Sequence, residues 1–104
     1  MKEGDKMVLN NDNTIKCRKI LDRYGYRPQM LMVIEECSEL QKAVCKMLRN
    51  GTSATAPSDN FKEEIVDVIV MVTQACMMAG ISEAEINHRA AVKLDKVLDR
   101  MARE

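Results

Sequence analysis

The sequence predicts an all-α domain, and three observations carry that expectation. Apolar residues recur at three- and four-residue spacing along most of the chain, with no alternating run of the kind that marks a strand. Apolar residues make up 46% of the chain, yet they include nine Met and only three aromatics, so Leu, Ile, Val, Ala and Met must supply the core. That set favours helix over sheet. Finally, Gly25, Asn50-Gly51 and Gly80 punctuate the chain into four segments of helical length. At 104 residues the chain suits one domain, which buries roughly two-thirds of the surface its unfolded form exposes.

The first segment is expected to start at a cap on Asn13 or Thr14 and to run to about Tyr24, where Gly25 ends it. Residues 1–13 then form a flexible N-terminal segment ahead of a single helical domain over 14–104. Pro28, placed where a first helical position tolerates a missing N–H, opens a long helix to about Arg49. The run Thr52-Ser53-Ala54-Thr55-Ala56-Pro57 is a polar linker without periodicity. Ser58, Asp59 or Asn60 caps a third helix that ends before Gly80. Ser82 and Glu85 then read as a capping box, with Ile81 and Ile86 as a hydrophobic staple, so a fourth helix continues to the C-terminus. Together these make a four-helix bundle-like protomer.

Sixteen basic and sixteen acidic residues cancel, which argues against a nucleic-acid polymer as partner, since such surfaces show as a basic excess. The first thirteen residues hold no apolar signal-like core, and no stretch reaches the roughly 18 apolar residues of a membrane span. The expected location is cytoplasmic. Cys17, Cys37, Cys45 and Cys76 have no C-x-x-C spacing and read as reduced, small core residues.

Projection at 100° per residue assigns a use to each helix face. On the second helix Met30, Val33, Ile34, Cys37, Leu40, Val44 and Leu48 form a stripe of the kind that faces a core. A flanking face carries Gln29, Met32, Glu36, Glu39 and Ala43, so two carboxylates sit one turn apart beside that stripe, with Glu35 nearer solvent. The third helix has two apolar stripes, one of Ile65, Val68, Ile69, Val72 and Cys76, the other of Val66, Val70, Thr73 and Met77. A helix apolar on two sides needs partners on both, which points to a homo-oligomer, dimer or tetramer. Its remaining face holds Glu64, Asp67, Met71, Gln74 and Met78.

An ionised Asp67 inside Ile-Val-Asp-Val-Ile-Val-Met-Val is costly unless it is paired or holds a metal. Two helices each offering carboxylates at i, i+3 supply oxygen ligands suited to hard cations, Mg²⁺ or Mn²⁺. The competing reading is a solvated acidic face, or carboxylates paired with Lys and Arg. A di-iron site needs Glu-x-x-His pairs, and the single histidine, His88, has no Glu three residues before it.

The string Glu35-Glu36-Cys37-Ser38-Glu39, followed after 24 residues by Glu64-Ile65-Val66-Asp67, resembles the E-E-x-x-E and E-x-x-D motifs of the MazG-like all-α nucleoside triphosphate pyrophosphohydrolases. The likeness spans about Gln29 to Met101. It implies that Glu36, Glu39, Glu64 and Asp67 hold Mg²⁺ and that Glu35 assists either by supporting those ligands from behind or by orienting water. The implied reaction cleaves an NTP or dNTP between the α and β phosphates, giving the monophosphate and pyrophosphate in a housecleaning role. Lys93, Lys96 and Arg100 either face the phosphates or form a solvated stripe. Phe61, one turn before Glu64, is a candidate for stacking a base, and Gln29 and Gln74 are candidates for hydrogen bonds to substrate. The alternative from another class is a non-catalytic helical module that senses nucleotide or metal.

Overall fold

A computed structural model describes residues 8–51 and 58–104. Among them the chain forms α1 (Asn11–Tyr24), α2 (Tyr26–Arg49), α3 (Asp59–Ala79) and α4 (Glu83–Ala102), and no strand, so the all-α expectation holds. The expected linker at 52–57, and residues 1–7 of the expected N-terminal segment, lie outside the described residues.

Local chemistry sets the helix ends. α1 starts earlier than expected: Asn10, not Asn13 or Thr14, is the cap, its side-chain oxygen accepting from the Asn13 N–H at 2.9 Å. The Thr14 hydroxyl donates back to the Asn10 carbonyl. Residues 11–13 are therefore helix rather than part of a flexible segment. α2 begins at Tyr26, directly after a single Gly25 whose φ of 88° breaks the helix without a loop. Pro28 falls within the first turn, where its missing N–H goes unused. Ser58 caps α3 and Ser82 caps α4, accepting from the N–H groups of Phe61 and Glu85, each at 3.1 Å. At the end of α3 the Ile81 N–H donates to Cys76 and the Gly80 N–H to Met77, with Gly80 left-handed at φ 68°. That is the Schellman pattern, and it lets the chain turn by 107° into α4.

The packing departs from a closed four-helix bundle. α2 and α3 make the most extensive contact, antiparallel, and α1 touches both. α4 packs extensively against none of them and buries no residue. The buried apolar residues are Cys17 and Leu21 on α1, Ala43 on α2 and Met71 on α3.

The face that α2 turns inward is also not the expected one. Met30, Val44, Ile34 and Leu48 of the apolar stripe are exposed, the last two at 67% and 75%. The flanking face takes the seam instead: Gln29 and Ala43 are buried at its ends, and Met32, Glu36 and Glu39 are half-buried between them. On α3 the matching face is Glu64, Asp67, Met71, Gln74 and Met78, all buried or half-buried. The physical reason is that periodicity identifies the most apolar face of a helix, not the neighbour that covers it.

Candidate functional site

Helix geometry brings the carboxylates together. Glu36 near the middle of α2, and Glu64 and Asp67 one turn apart in the first half of α3, each offer an oxygen, and the three oxygens lie within 4.8 Å of one another. All three residues are half-buried in the α2–α3 seam. Glu64 Oε2 is fully shielded from solvent and accepts no hydrogen bond. A buried acceptor without a donor is rare in native folds and expects an occupant.

The electrostatics are those of crowded like charges. Burial pushes the Glu36 carboxyl above its ordinary value of 4.5, and Asp67, Glu64, Glu35 and Glu39 push it further in that order. Glu64 is raised by burial first, then by Asp67, Glu39 and Glu63. No cationic side chain is in salt-bridge contact with Glu36, Glu64 or Asp67 among the described residues. Among the described residues, then, these three are not paired with Lys or Arg. The paired reading holds in part for Glu39, which contacts Lys42 Nζ at 3.3 Å on the exposed side and stands outside the group of three. Glu35 is exposed on the next position of α2.

No protein-family model, curated protein or solved structure matches the chain. What the site can do is therefore argued from its own side chains.

Several expected substrate contacts are placed elsewhere. Gln29 and Gln74 bond to each other, Nε2 to Oε1 at 2.8 Å, and are buried at 6% and 1% exposure, so they are interior groups rather than substrate ligands. Lys93, Lys96 and Arg100 sit on exposed positions of α4, flanking shallow hollows shared with Arg89, Val92 and Val97. Asp67 lies thirteen residues before Gly80, roughly 20 Å along α3, and α4 then turns away. No ion pair joins these three bases to the carboxylates among the described residues. Phe61 is half-buried in the capping turn of α3, with its N–H donated to Ser58. Its position one turn from Glu64 stands as expected.

One participant was missed from sequence. Cys17 of α1, buried, directs its thiol at the Val70 carbonyl at 4.0 Å, and burial pushes the thiol up. The signal available for the glutamine pair was numerical: Gln29 is seven residues before Glu36, and Gln74 seven after Asp67.

Proposed function

We propose that the protein is a divalent-cation-dependent nucleoside triphosphate pyrophosphohydrolase of the MazG-like type that works as a homo-oligomer. One observation carries the reading: three carboxylates from two helices converge within 4.8 Å around a shielded oxygen that lacks a partner. An all-oxygen, multiply anionic donor set fits Mg²⁺ or Mn²⁺ better than a thiolate- or imidazole-seeking metal. When bound, such an ion supplies charge against a triphosphate and activates water toward phosphorus.

The chain's own residues take the remaining roles. Glu36, Glu64 and Asp67 hold the cation, with Glu39 beside them adding negative potential on the Lys42 side. Glu35, exposed and adjacent to Glu36, would accept a proton from water attacking the α phosphorus. The bond between the α phosphorus and the bridging oxygen then breaks, releasing pyrophosphate and a nucleoside monophosphate. Base and sugar preference is left to Phe61 and the half-buried Met32 and Met78.

Exposed apolar residues support assembly. Ile34 and Leu48 on α2 and Leu94, Leu98 and Met101 on α4 are each more than half exposed, surface that a second copy would cover. A second copy lying on these apolar faces is also the route by which Lys93, Lys96 and Arg100 reach a triphosphate.

The test is pyrophosphate release from a panel of NTPs and dNTPs with Mg²⁺ or Mn²⁺. Glu36→Gln and Asp67→Asn are each expected to lower turnover roughly 10²- to 10³-fold, the scale of losing one preorganised charge-stabilising group. Turnover unchanged in both variants overturns the site assignment. A nucleotide that raises the melting temperature while releasing no product favours the sensing module instead.

A further inference from the structure

The α2–α3 seam contains two polar layers rather than one. Glu36 meets Asp67 in the carboxylate layer, and Gln29 meets Gln74 in a second, buried layer two helical turns away. Because Gln29 precedes Glu36 by seven residues and Gln74 follows Asp67 by seven, both pairings belong to one antiparallel register. Met32 and Met71 occupy the position between them on the two faces.

Without a cation the carboxylate layer opposes that register, since like charges repel most where they are least solvated. A slip of one heptad, about 10 Å, sets Glu36 beside Gln74 and Asp67 beside Ala43. The slip disperses the acids and keeps the seven-residue periodicity, so apolar packing alone discriminates weakly against it. The glutamine layer does discriminate. A slip carries Gln29 past Gly80, the end of α3, and moves Gln74 beside Glu36, so the buried amide–amide bond of the observed register is lost. Gln74 is the most buried side chain among the described residues, and the Cys17 thiol of α1 donates to the Val70 carbonyl one turn before it on α3. A single buried polar pair that specifies register is an attested device in helical seams.

We propose that the Gln29–Gln74 pair is a positioning element that holds α2 and α3 in the one register in which Glu36, Glu64 and Asp67 converge. The inference rests on the divalent-cation reading for its consequence, but not for its geometry.

The experiment compares the wild-type chain with the double variant Gln29→Leu, Gln74→Leu, in which both partners become apolar and no amide is stranded. With methionine methyls isotopically labelled, the wild type is expected to show a nuclear Overhauser contact between Met32 and Met71, which the register places opposite each other. The double variant is expected to keep its helicity and melting temperature, to lose that contact or split the two methyl signals, and to bind Mn²⁺ at least tenfold more weakly. A purely structural pair would move the melting temperature and leave both other readouts alone. The proposal is overturned if the folded double variant keeps the methyl contact and the Mn²⁺ affinity. It is equally overturned if that variant fails to fold, because the pair is then needed for folding and not for register. A wild type that shows the methyl contact but takes up no Mn²⁺ sinks the cation reading alone, and the methyl signals of the variant still decide the register.

Discussion

The α2–α3 seam and the α4 helix invert the usual distribution of polarity. The seam, which is interior, holds Gln29, Glu36, Glu64, Asp67 and Gln74, whereas α4, which is exterior, presents Val92, Leu94, Val97, Leu98 and Met101 to solvent. Placing acids inside costs desolvation and placing Leu outside forgoes its burial. The contrast is what the proposed function would account for: a cation would offset the inner polarity, and a second copy would cover the outer apolar residues. Folding, ion uptake and association are then linked, since whatever binds only the native form stabilises it.

The largest effect is expected where the apolar exterior is attacked. Ile34→Glu with Leu98→Glu places a charge on each of two exposed apolar faces and should convert an oligomer to the 11.8 kDa monomer in sedimentation, with a fall in melting temperature. An unchanged sedimentation coefficient removes those faces from the interface.

The pH response separates the two regions next. Glu36 and Glu64 have carboxyls raised above 4.5 in the fold, so between the unfolded and folded values the native state binds more protons. Stability then falls as pH rises through that window, and the metal-free protein should melt higher at about pH 5 than at pH 7. Saturating Mg²⁺ or Mn²⁺ should cancel or reverse this slope. A metal-free protein that melts lower on mild acidification contradicts the crowded-carboxylate description.

Gly80→Ala perturbs the junction between the regions. An added Cβ meets nothing within 4 Å, so the cost is conformational, about 1–2 kcal/mol for a left-handed non-glycine residue. Thermal denaturation should show a drop of several degrees. The smallest effect belongs to Arg89→Ala, which removes an exposed pair with Glu85 at 2.8 Å and should change stability by no more than about 0.5 kcal/mol.

The helix ends of α2, α3 and α4 were legible because their signals are local: Asn50-Gly51 stops α2, Ser58 and Ser82 bond their own first turns, and Gly80 takes the left-handed angle. The start of α1 was less so, since Asn10, Asn11, Asp12 and Asn13 all make acceptable caps and the Thr14 hydroxyl bond helps select Asn10. Two acidic pairs at turn spacing were legible as a candidate site, and Glu36, Glu64 and Asp67 do converge. The inward face of α2 was not legible. Its apolar stripe satisfies the same rule whether an intramolecular neighbour or another molecule covers it. The exchange of roles by Gln29 and Gln74 was missed for a related reason: a glutamine beside an acid reads as a substrate contact until its partner across the seam is known.

The joint at Gly80 has a mechanical consequence. α4 is a rod of 20 residues, about 30 Å long, held at one end by the Schellman turn and the first residues after it, and among the described residues no other helix packs extensively against it. A rotation of about 10° at that pivot sweeps its far end, with Arg100, through about 5 Å. The geometry is that of a lever arm: whatever grips the rod sets where its bases stand, and a small adjustment at one glycine becomes a displacement comparable to a phosphate group.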